Sequence, residues 1–173
     1  MDFLPGSFRA ARALLGKEQD DVAEGSGVDR RVVMRLEKTT YKKPTDAAHR
    51  VRRYYEGEGI EFLDADNEAG PGVRWKSGGQ EDFFCRRQVQ AARVMMNLSQ
   101  TQLALKLGVV RSVVTKFESG AVKTPDPGFI EQAVRTLEGE GVNFLADTAV
   151  KGIGVRLKVS MNLSETTARQ NPR

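Results

Sequence analysis

The sequence predicts a mainly α-helical protein with small β-hairpins, arranged as two similar units in tandem. Two observations carry this prediction. The chain repeats itself after about 81 residues, and each copy contains short amphipathic segments separated by glycine, followed by two segments in which apolar and polar residues alternate. Glycine stops are typical of short helices, and alternation is typical of strands that bury one face.

The internal repeat becomes visible when the sequence is shifted against itself by 81 residues. Identical residues then coincide at Ala10-Ala11-Arg12 and Ala91-Ala92-Arg93, Gln19 and Gln100, Ala23 and Ala104, Gly27-Val28 and Gly108-Val109, and Glu37 and Glu118. After one extra residue in the second copy the shift is 82, and it aligns EGEG at 56–59 with 138–141 and Gly72-Val73-Arg74 with Gly154-Val155-Arg156. The repeat predicts a first domain at 1–76 (the first unit) and a second at 82–158 (the second unit), with a linker at 77–81 and a flexible tail at 159–173.

Each unit is predicted to contain four helices before its two-stranded antiparallel hairpin. Ser99 and Gln102 form the pattern of a capping box at the start of the second helix of the second unit, and Gly108 ends that helix. A third helix follows at once, so the two helices cross steeply as a helix-turn-helix. The predicted elements are Ala10 to Leu15, Gln19 to Glu24, a helix from Asp29, Thr45 to Glu56, Ile60 to Leu63 and Val73 to Lys76, with helices near Val89 to Met96, Leu103 to Leu107, Val110 onward and Pro127 to Glu138, and strands Val142 to Leu145 and Val155 to Lys158.

The third helix of each unit has one cationic or polar side and one apolar side. At about 100° per residue, Arg30, Arg31 and Arg35 share a side, and Val33 and Leu36 lie opposite. The second unit divides in the same way, with Arg111, Ser112, Thr115 and Lys116 outward and Val114 and Phe117 inward. A charged stripe is often only a solvated helix face. After a tight turn it also suits the major groove of DNA, where long cationic side chains reach the edges of guanine and adenine.

Residues 98–120, LSQTQLALKLGVVRSVVTKFESG, resemble the helix-turn-helix of the phage repressor and Cro (Xre) family of bacterial DNA-binding proteins. The agreement lies at Gln100, Ala104, Gly108, Val109, Val114, Phe117 and Glu118. Residues 16–38 resemble the motif less completely and keep Gln19, Ala23, Gly27, Val28, Val33, Leu36 and Glu37. The resemblance covers about the first 55 residues of each unit, and the closing hairpin departs from the family's usual fifth helix and its dimer contact.

The resemblance implies two tandem Cro/repressor-like helix-turn-helix domains that bind DNA. The residues expected to read bases are Arg30, Arg31, Arg35, Arg111, Ser112 and Lys116. Those expected to bind phosphates are Gln19, Lys38, Lys42, Lys43, Gln100 and Lys123, although the loop lysines also fit an ordinary solvated surface. Asp29 departs from the family, and its carboxylate suits either a cytosine amino group or a helix cap. Val32 and Val113, at the edge of the groove face, suit either thymine methyl groups or packing.

The net charge of +4 is unevenly distributed between the two units. Residues 30–53 hold nine basic side chains against two acidic ones, whereas residues 111–135 hold four against three. Since phosphate contacts set affinity and base contacts set specificity, the first unit is expected to be the stronger electrostatic anchor. Four carboxylates around its second helix oppose that role: Glu18, Asp20, Asp21 and Glu24.

Several classes of protein are poorly supported by the composition. The chain has one cysteine, Cys85, and one histidine, His49, so it has no ligand set for a structural zinc. Pairs of a nucleophile with a general base are almost absent for the same reason. Neither a metal, a cofactor nor catalysis is therefore expected. The glycines at 70–72 and 152–154 lead into strands, without the helix that a phosphate-binding loop requires. No apolar run has membrane-spanning length and no signal peptide is recognised, so the protein is expected in the cytoplasm, on the nucleoid.

The sequence therefore predicts a sequence-specific double-stranded DNA-binding transcription regulator, a repressor or an activator. Its two recognition helices are expected to enter successive major grooves of a pseudo-palindromic site, with RNA polymerase as a candidate partner. The alternative is a protein-interaction module on the same scaffold, anti-activator or antitoxin-like, with weak or no DNA binding. The hairpins are expected either to pair within the chain or to offer an edge strand to a second chain as a homodimer.

Overall fold

The computed structural model describes residues 4–40, 44–79 and 81–159, and in these residues the order of four helices and two strands occurs twice. The first unit contains α1 (Pro5–Leu15), α2 (Gln19–Ser26), α3 (Arg30–Leu36), α4 (Asp46–Gly57), β1 (Ile60–Leu63) and β2 (Ala69–Trp75). The second contains α5 (Arg86–Met95), α6 (Gln100–Leu107), α7 (Arg111–Glu118), α8 (Pro127–Gly139), β3 (Val142–Leu145) and β4 (Gly154–Lys158), with a short 3-10 helix (Phe83–Cys85) before α5. The mainly helical architecture with small antiparallel pairs is confirmed.

The turn between α6 and α7 follows from local sequence. The Ser99 hydroxyl accepts a hydrogen bond from the backbone N–H of Gln102, at 3.1 Å, while the Gln102 side chain accepts one from the N–H of Ser99, at 2.8 Å. This reciprocal pair is the predicted capping box. Gly108 then adopts φ +66°, a left-handed conformation that a residue with Cβ rarely takes, and so ends α6.

The corresponding turn between α2 and α3 also has a left-handed glycine, but a different side chain caps a helix there. Gly27 ends α2 with φ +62°. The carboxylate of Asp29 accepts a hydrogen bond from the N–H of Arg31 at 2.8 Å, so Asp29 caps α3. Of the two interpretations open for Asp29, the structure shows the cap.

The first helix differs from prediction, since α1 begins at Pro5 and not near Ala10. The fixed φ of proline suits a first helical position.

The four strands form one antiparallel sheet in the order β1-β2-β4-β3. Each hairpin is as expected, and the two hairpins pair with each other within the chain through β2 and β4. In that central ladder Val73 lies opposite Val155, Gly72 opposite Arg156, and Arg74 opposite Gly154. Strand β2 begins at Ala69, before the predicted Val73, and the register shifts between Ala69 and Gly72.

The buried apolar residues of both units form a single cluster. Helices α1 and α5, which correspond under the repeat, pack against each other, and both carry fully buried alanines, such as Ala11 and Ala92. Their approach is close, since a Cβ on Gly6 would lie 2.7 Å from the carbonyl oxygen of Met95. The units therefore meet through corresponding helices as well as through corresponding strands. Lys42, Lys43 and the predicted tail beyond Val159 lie outside the described residues.

Candidate DNA interface

Helix α3 presents the predicted cationic side to solvent. Arg30, Arg31 and Arg35 are exposed, whereas Val33 and Leu36 are buried in the core. One of the three arginines is engaged, because Arg30 Nε lies 2.8 Å from a carboxylate oxygen of Asp20 on α2. Both partners are well exposed, so this ion pair contributes little to stability.

Helix α7 divides in the same way. Arg111, Ser112 and Lys116 are exposed, and Val114 and Phe117 are buried. Phe117 packs edge-on against Phe129 at the start of α8, with ring centroids 5.2 Å apart. This aromatic contact fixes the rotation of α7 about its axis, and so holds its polar side outward.

Thr115 is half-buried, although its place on the helix predicts an outward side chain. Its hydroxyl donates to Oε1 of Gln100 at 2.8 Å and so joins α7 to the start of α6. The outward side of α7 is therefore narrower than the sequence alone indicates.

A buried ion pair anchors the end of α7 to the rest of the second unit. Nε and Nη2 of Arg93, on α5, donate to the two carboxylate oxygens of Glu118 at 2.6 and 2.7 Å. Nε2 of Gln100 donates to the same carboxylate at 2.9 Å. Arg93 also donates to the carbonyl of Leu98, at 2.7 Å. Three helices are thus tied to one carboxylate, and the bidentate geometry fixes the position of α7.

The first unit repeats this network. Arg12, on α1, donates to both carboxylate oxygens of Glu37 at 2.6 and 3.0 Å, and Nε2 of Gln19 donates to the same carboxylate at 2.8 Å. Burial opposes the charge of Arg12, but the hydrogen bond and the charge of Glu37 outweigh it and raise the pKa of the guanidinium above its ordinary value. Glu37 directly follows α3 as Glu118 ends α7, so the two helices are anchored by corresponding carboxylates.

The sequence predicts phosphate contacts for Gln19 and Gln100 and indicates no role for the glutamates that they contact or for the arginines that share those carboxylates. A signal for the network was present, because Arg12, Arg93, Glu37 and Glu118 are among the residues that the repeat preserves. Each glutamine uses one N–H on the carboxylate, which leaves the second amide N–H for another acceptor. The lysines Lys38 and Lys123 are exposed beyond the ends of α3 and α7.

Two arginines of the sheet form hydrogen bonds between the units. Arg74 in β2 donates twice to the carbonyl of Gly152, at 3.1 and 2.9 Å. Arg156 in β4 donates to the carbonyl of Gly70 at 2.6 Å, and Gly70 and Gly152 correspond under the shift of 82. Each unit thus accepts, at corresponding positions, a hydrogen bond from an arginine of the other.

Asp66 completes the contact made by Arg156. Nη2 of Arg156 donates to this carboxylate at 2.7 Å. The hydrogen bond from Arg156, with those from the backbone N–H groups of Glu68 and Ala69, lowers the pKa of Asp66 to about 2. The ionised carboxylate therefore stabilises the junction of the two units over most of the pH range.

Two further properties concern the described residues only. They contain no group of three histidine, cysteine or carboxylate side chains arranged to hold a metal ion. Among their helices, none combines the length and apolar character that crossing a membrane requires.

Comparison with known proteins identifies a helix-turn-helix in one region of the chain. The helix-turn-helix family HTH_3 matches residues 89–140, which run from α5 through α8. No curated protein and no solved structure is significantly similar to the chain. The family is one of DNA-binding regulators and is generally non-enzymatic. Residues 89–140 therefore match an Xre-type helix-turn-helix, the DNA-binding element of a family of regulators.

Proposed function

We propose that the protein is a sequence-specific double-stranded DNA-binding transcription regulator without catalytic activity, in which one chain carries both recognition helices. The observation that carries the proposal is the pairing of Val73 with Val155 in the central ladder. These two residues correspond under the repeat. Two antiparallel strands whose corresponding residues face each other are related by a local two-fold axis.

Further contacts obey the same symmetry. Gly72 faces Arg156 while Arg74 faces Gly154, and α1 packs against α5. Since each recognition helix is fixed to its own unit by the same Arg, Glu and Gln network, an axis that relates the units also relates α3 to α7. A pair of two-fold related recognition helices about 34 Å apart fits successive major grooves on one face of the duplex.

The exposed side chains of α3 and α7 supply the base contacts in this proposal. Arginine donates two hydrogen bonds to O6 and N7 of guanine, which is the commonest specific contact in the major groove. The base-reading residues are Arg30, Arg31 and Arg35 in one half-site and Arg111, Ser112 and Lys116 in the other. Because the two sets differ, the site is pseudo-palindromic and its half-sites are unequal.

The phosphate contacts come from the residues around the two recognition helices. We assign them to Gln19, Gln100, Lys38 and Lys123, together with Lys42 and Lys43 of the loop after α3. Gln19 and Gln100 lie at the start of α2 and α6, where unpaired backbone N–H groups favour an anion. The second amide N–H of each glutamine is the proposed donor to the phosphate. Helix α2 is the less favourable of the two, because Asp20 and Asp21 are exposed there.

One chain suffices for a complete site in this arrangement, so a homodimer through the outer strands β1 and β3 is not needed for DNA binding. As a bacterial regulator the protein acts in the cytoplasm on the nucleoid. It represses by covering a promoter, or activates through RNA polymerase.

The second candidate function is a protein-interaction module on the same scaffold. The Asp20–Arg30 ion pair favours this second function, because the pair occupies an arginine that is proposed to read bases. The salt dependence of duplex affinity distinguishes the two functions. Neutralised phosphates release counterions, so duplex affinity falls steeply with salt if DNA is the partner.

The test is a selection of bound duplexes followed by affinity measurements over a range of salt. The Arg111→Ala/Lys116→Ala double variant should lose base preference, at about 1 to 3 kcal/mol for each bidentate contact removed. The matched control is Arg135→Ala, which removes an exposed cation from α8 and should change affinity by less than about two-fold. Unchanged selection by the double variant, or the absence of salt-dependent duplex binding, overturns the proposal.

A further inference from the structure

Two apolar side chains flank the exposed start of α7. Val110, the residue that precedes the helix, is 67% exposed, and Val113 in its first turn is 38% exposed. The next residue, Val114, is fully buried, whereas Val110 and Val113 are not part of the buried apolar cluster. They stand beside Arg111, Ser112 and Lys116, on the part of the helix that the proposed function directs to DNA.

The first unit lacks this apolar pair. The position of Val110 is taken by Asp29, whose carboxylate caps α3. The position of Val113 is taken by Val32, which is half-buried and packs against the core. In addition, α3 has Arg31 and Arg35 where α7 has Ser112 and Lys116. The two recognition helices therefore differ in chemistry as well as in charge.

We propose that Val110 and Val113 read thymine through its 5-methyl group, so that the half-site under α7 contains thymines while the half-site under α3 depends on guanine. Thymine is the base that presents a methyl group in the major groove, and apolar side chains recognise it there. Contact removes both valines and the methyl group from water, which favours binding. The inference rests on the proposed function and adds the orientation of the chain on its DNA site, because two unequal half-sites determine which unit binds which half.

The test replaces single thymines of a selected duplex with deoxyuridine, which removes the methyl group and keeps the hydrogen-bonding edge. Each substitution under Val110 or Val113 should weaken binding by the wild-type chain about four-fold, equivalent to about 0.8 kcal/mol for one buried methyl group. Deoxyuridine under α3 should change affinity by less than about 1.5-fold. The two half-sites are assigned by hydroxyl-radical cleavage from a probe attached to Cys85, which lies in the second unit.

The matched protein variants are Val110→Ala/Val113→Ala and Val150→Ala, the last being an exposed valine in the loop between β3 and β4. The first variant should bind the thymine and deoxyuridine duplexes almost equally, whereas Val150→Ala should discriminate like the wild type. Equal deoxyuridine effects in wild type and double variant, or a selected half-site under α7 without thymine, overturn the inference and leave sequence-specific binding intact. Absence of any salt-dependent duplex binding instead refutes the proposed function, and the inference with it.

Discussion

Val73 and Val155 lie opposite each other in the ladder between β2 and β4, and both are fully buried. They correspond under the 82-residue shift of the sequence, so the ladder joins the two halves of the chain symmetrically. The arginines beside them reach across in both directions, to the carbonyls of Gly152 and Gly70. The two halves of the chain are thus joined by symmetrical backbone and side-chain hydrogen bonds.

The first prediction concerns the space at this junction. A Cβ on Gly72 would lie 2.6 Å from the carbonyl oxygen of Val155, which belongs to the ladder backbone and has little freedom to move. Gly72→Ala should therefore lower the free energy of unfolding by about 1 to 3 kcal/mol, measured by urea denaturation. The control is Gly57→Ala in α4, where no atom lies within 4 Å, and it should be neutral or stabilise by up to about 1 kcal/mol. Equal effects of the two substitutions would contradict the close approach.

The second prediction concerns the buried ion pair of the second unit. Glu118→Gln leaves the guanidinium of Arg93 buried without its counter-charge, and should cost about 3 to 5 kcal/mol of stability. Replacing both partners by methionine leaves no unpaired charge, so the double variant should be more stable than the single one. Urea denaturation of both variants measures this. A double variant that loses more than the single one would show that the charge is not the cause.

The third prediction is a dependence on pH. The pKa of Asp66 is lowered from 3.8 to about 2 in the folded chain, so its ionised form favours folding. That contribution is complete above the unfolded pKa and is lost as pH falls toward 2. Asp66→Asn should therefore unfold at lower urea than wild type at pH 6, and the gap should narrow between pH 4 and 2. Asp64→Asn is the control, because Arg156 contacts only the backbone carbonyl there; a similar gap for this variant would argue against the carboxylate of Asp66.

The fourth prediction concerns the acidic side of α2. Asp20→Asn releases Arg30 from its ion pair and removes a negative charge near the proposed interface, so duplex affinity should rise a few-fold at low salt. Glu24→Gln removes the same charge from the same helix without freeing an arginine, and its gain should be smaller. Fluorescence anisotropy on a selected duplex measures both variants. A weaker complex with Asp20→Asn would indicate that Arg30 does not reach DNA.

Much of the fold was predictable, because it follows from local chemistry. The capping box at Ser99 and the left-handed glycine Gly108 define the helix-turn-helix without reference to the rest of the chain. The early start of α1 was not predicted, since Gly6 weakens the local helical signal. The lack of a Cβ at Gly6 permits a close tertiary contact with Met95, which the local sequence does not reveal. The pairing of β2 with β4 could not be chosen either, because alternation indicates a buried face but not the partner strand.

The candidate site was predictable to a similar degree. The exposure of Arg30 and Arg111 follows from helical periodicity alone. The contact of Gln100 with Glu118 does not, because an amide at the start of a helix is as able to face a buried carboxylate as a phosphate. The difference between Val32 and Val113 likewise depends on how closely each helix packs against the core, which spacing does not report.

The most direct test of the account is the number of chains on one selected site, measured by native mass spectrometry and paired with a footprint of the same complex. One chain per duplex is expected, with two protected major-groove segments about 10 base pairs apart. Two chains per duplex, or protection of a single segment by one chain, would contradict the claim that both recognition helices of one chain bind together.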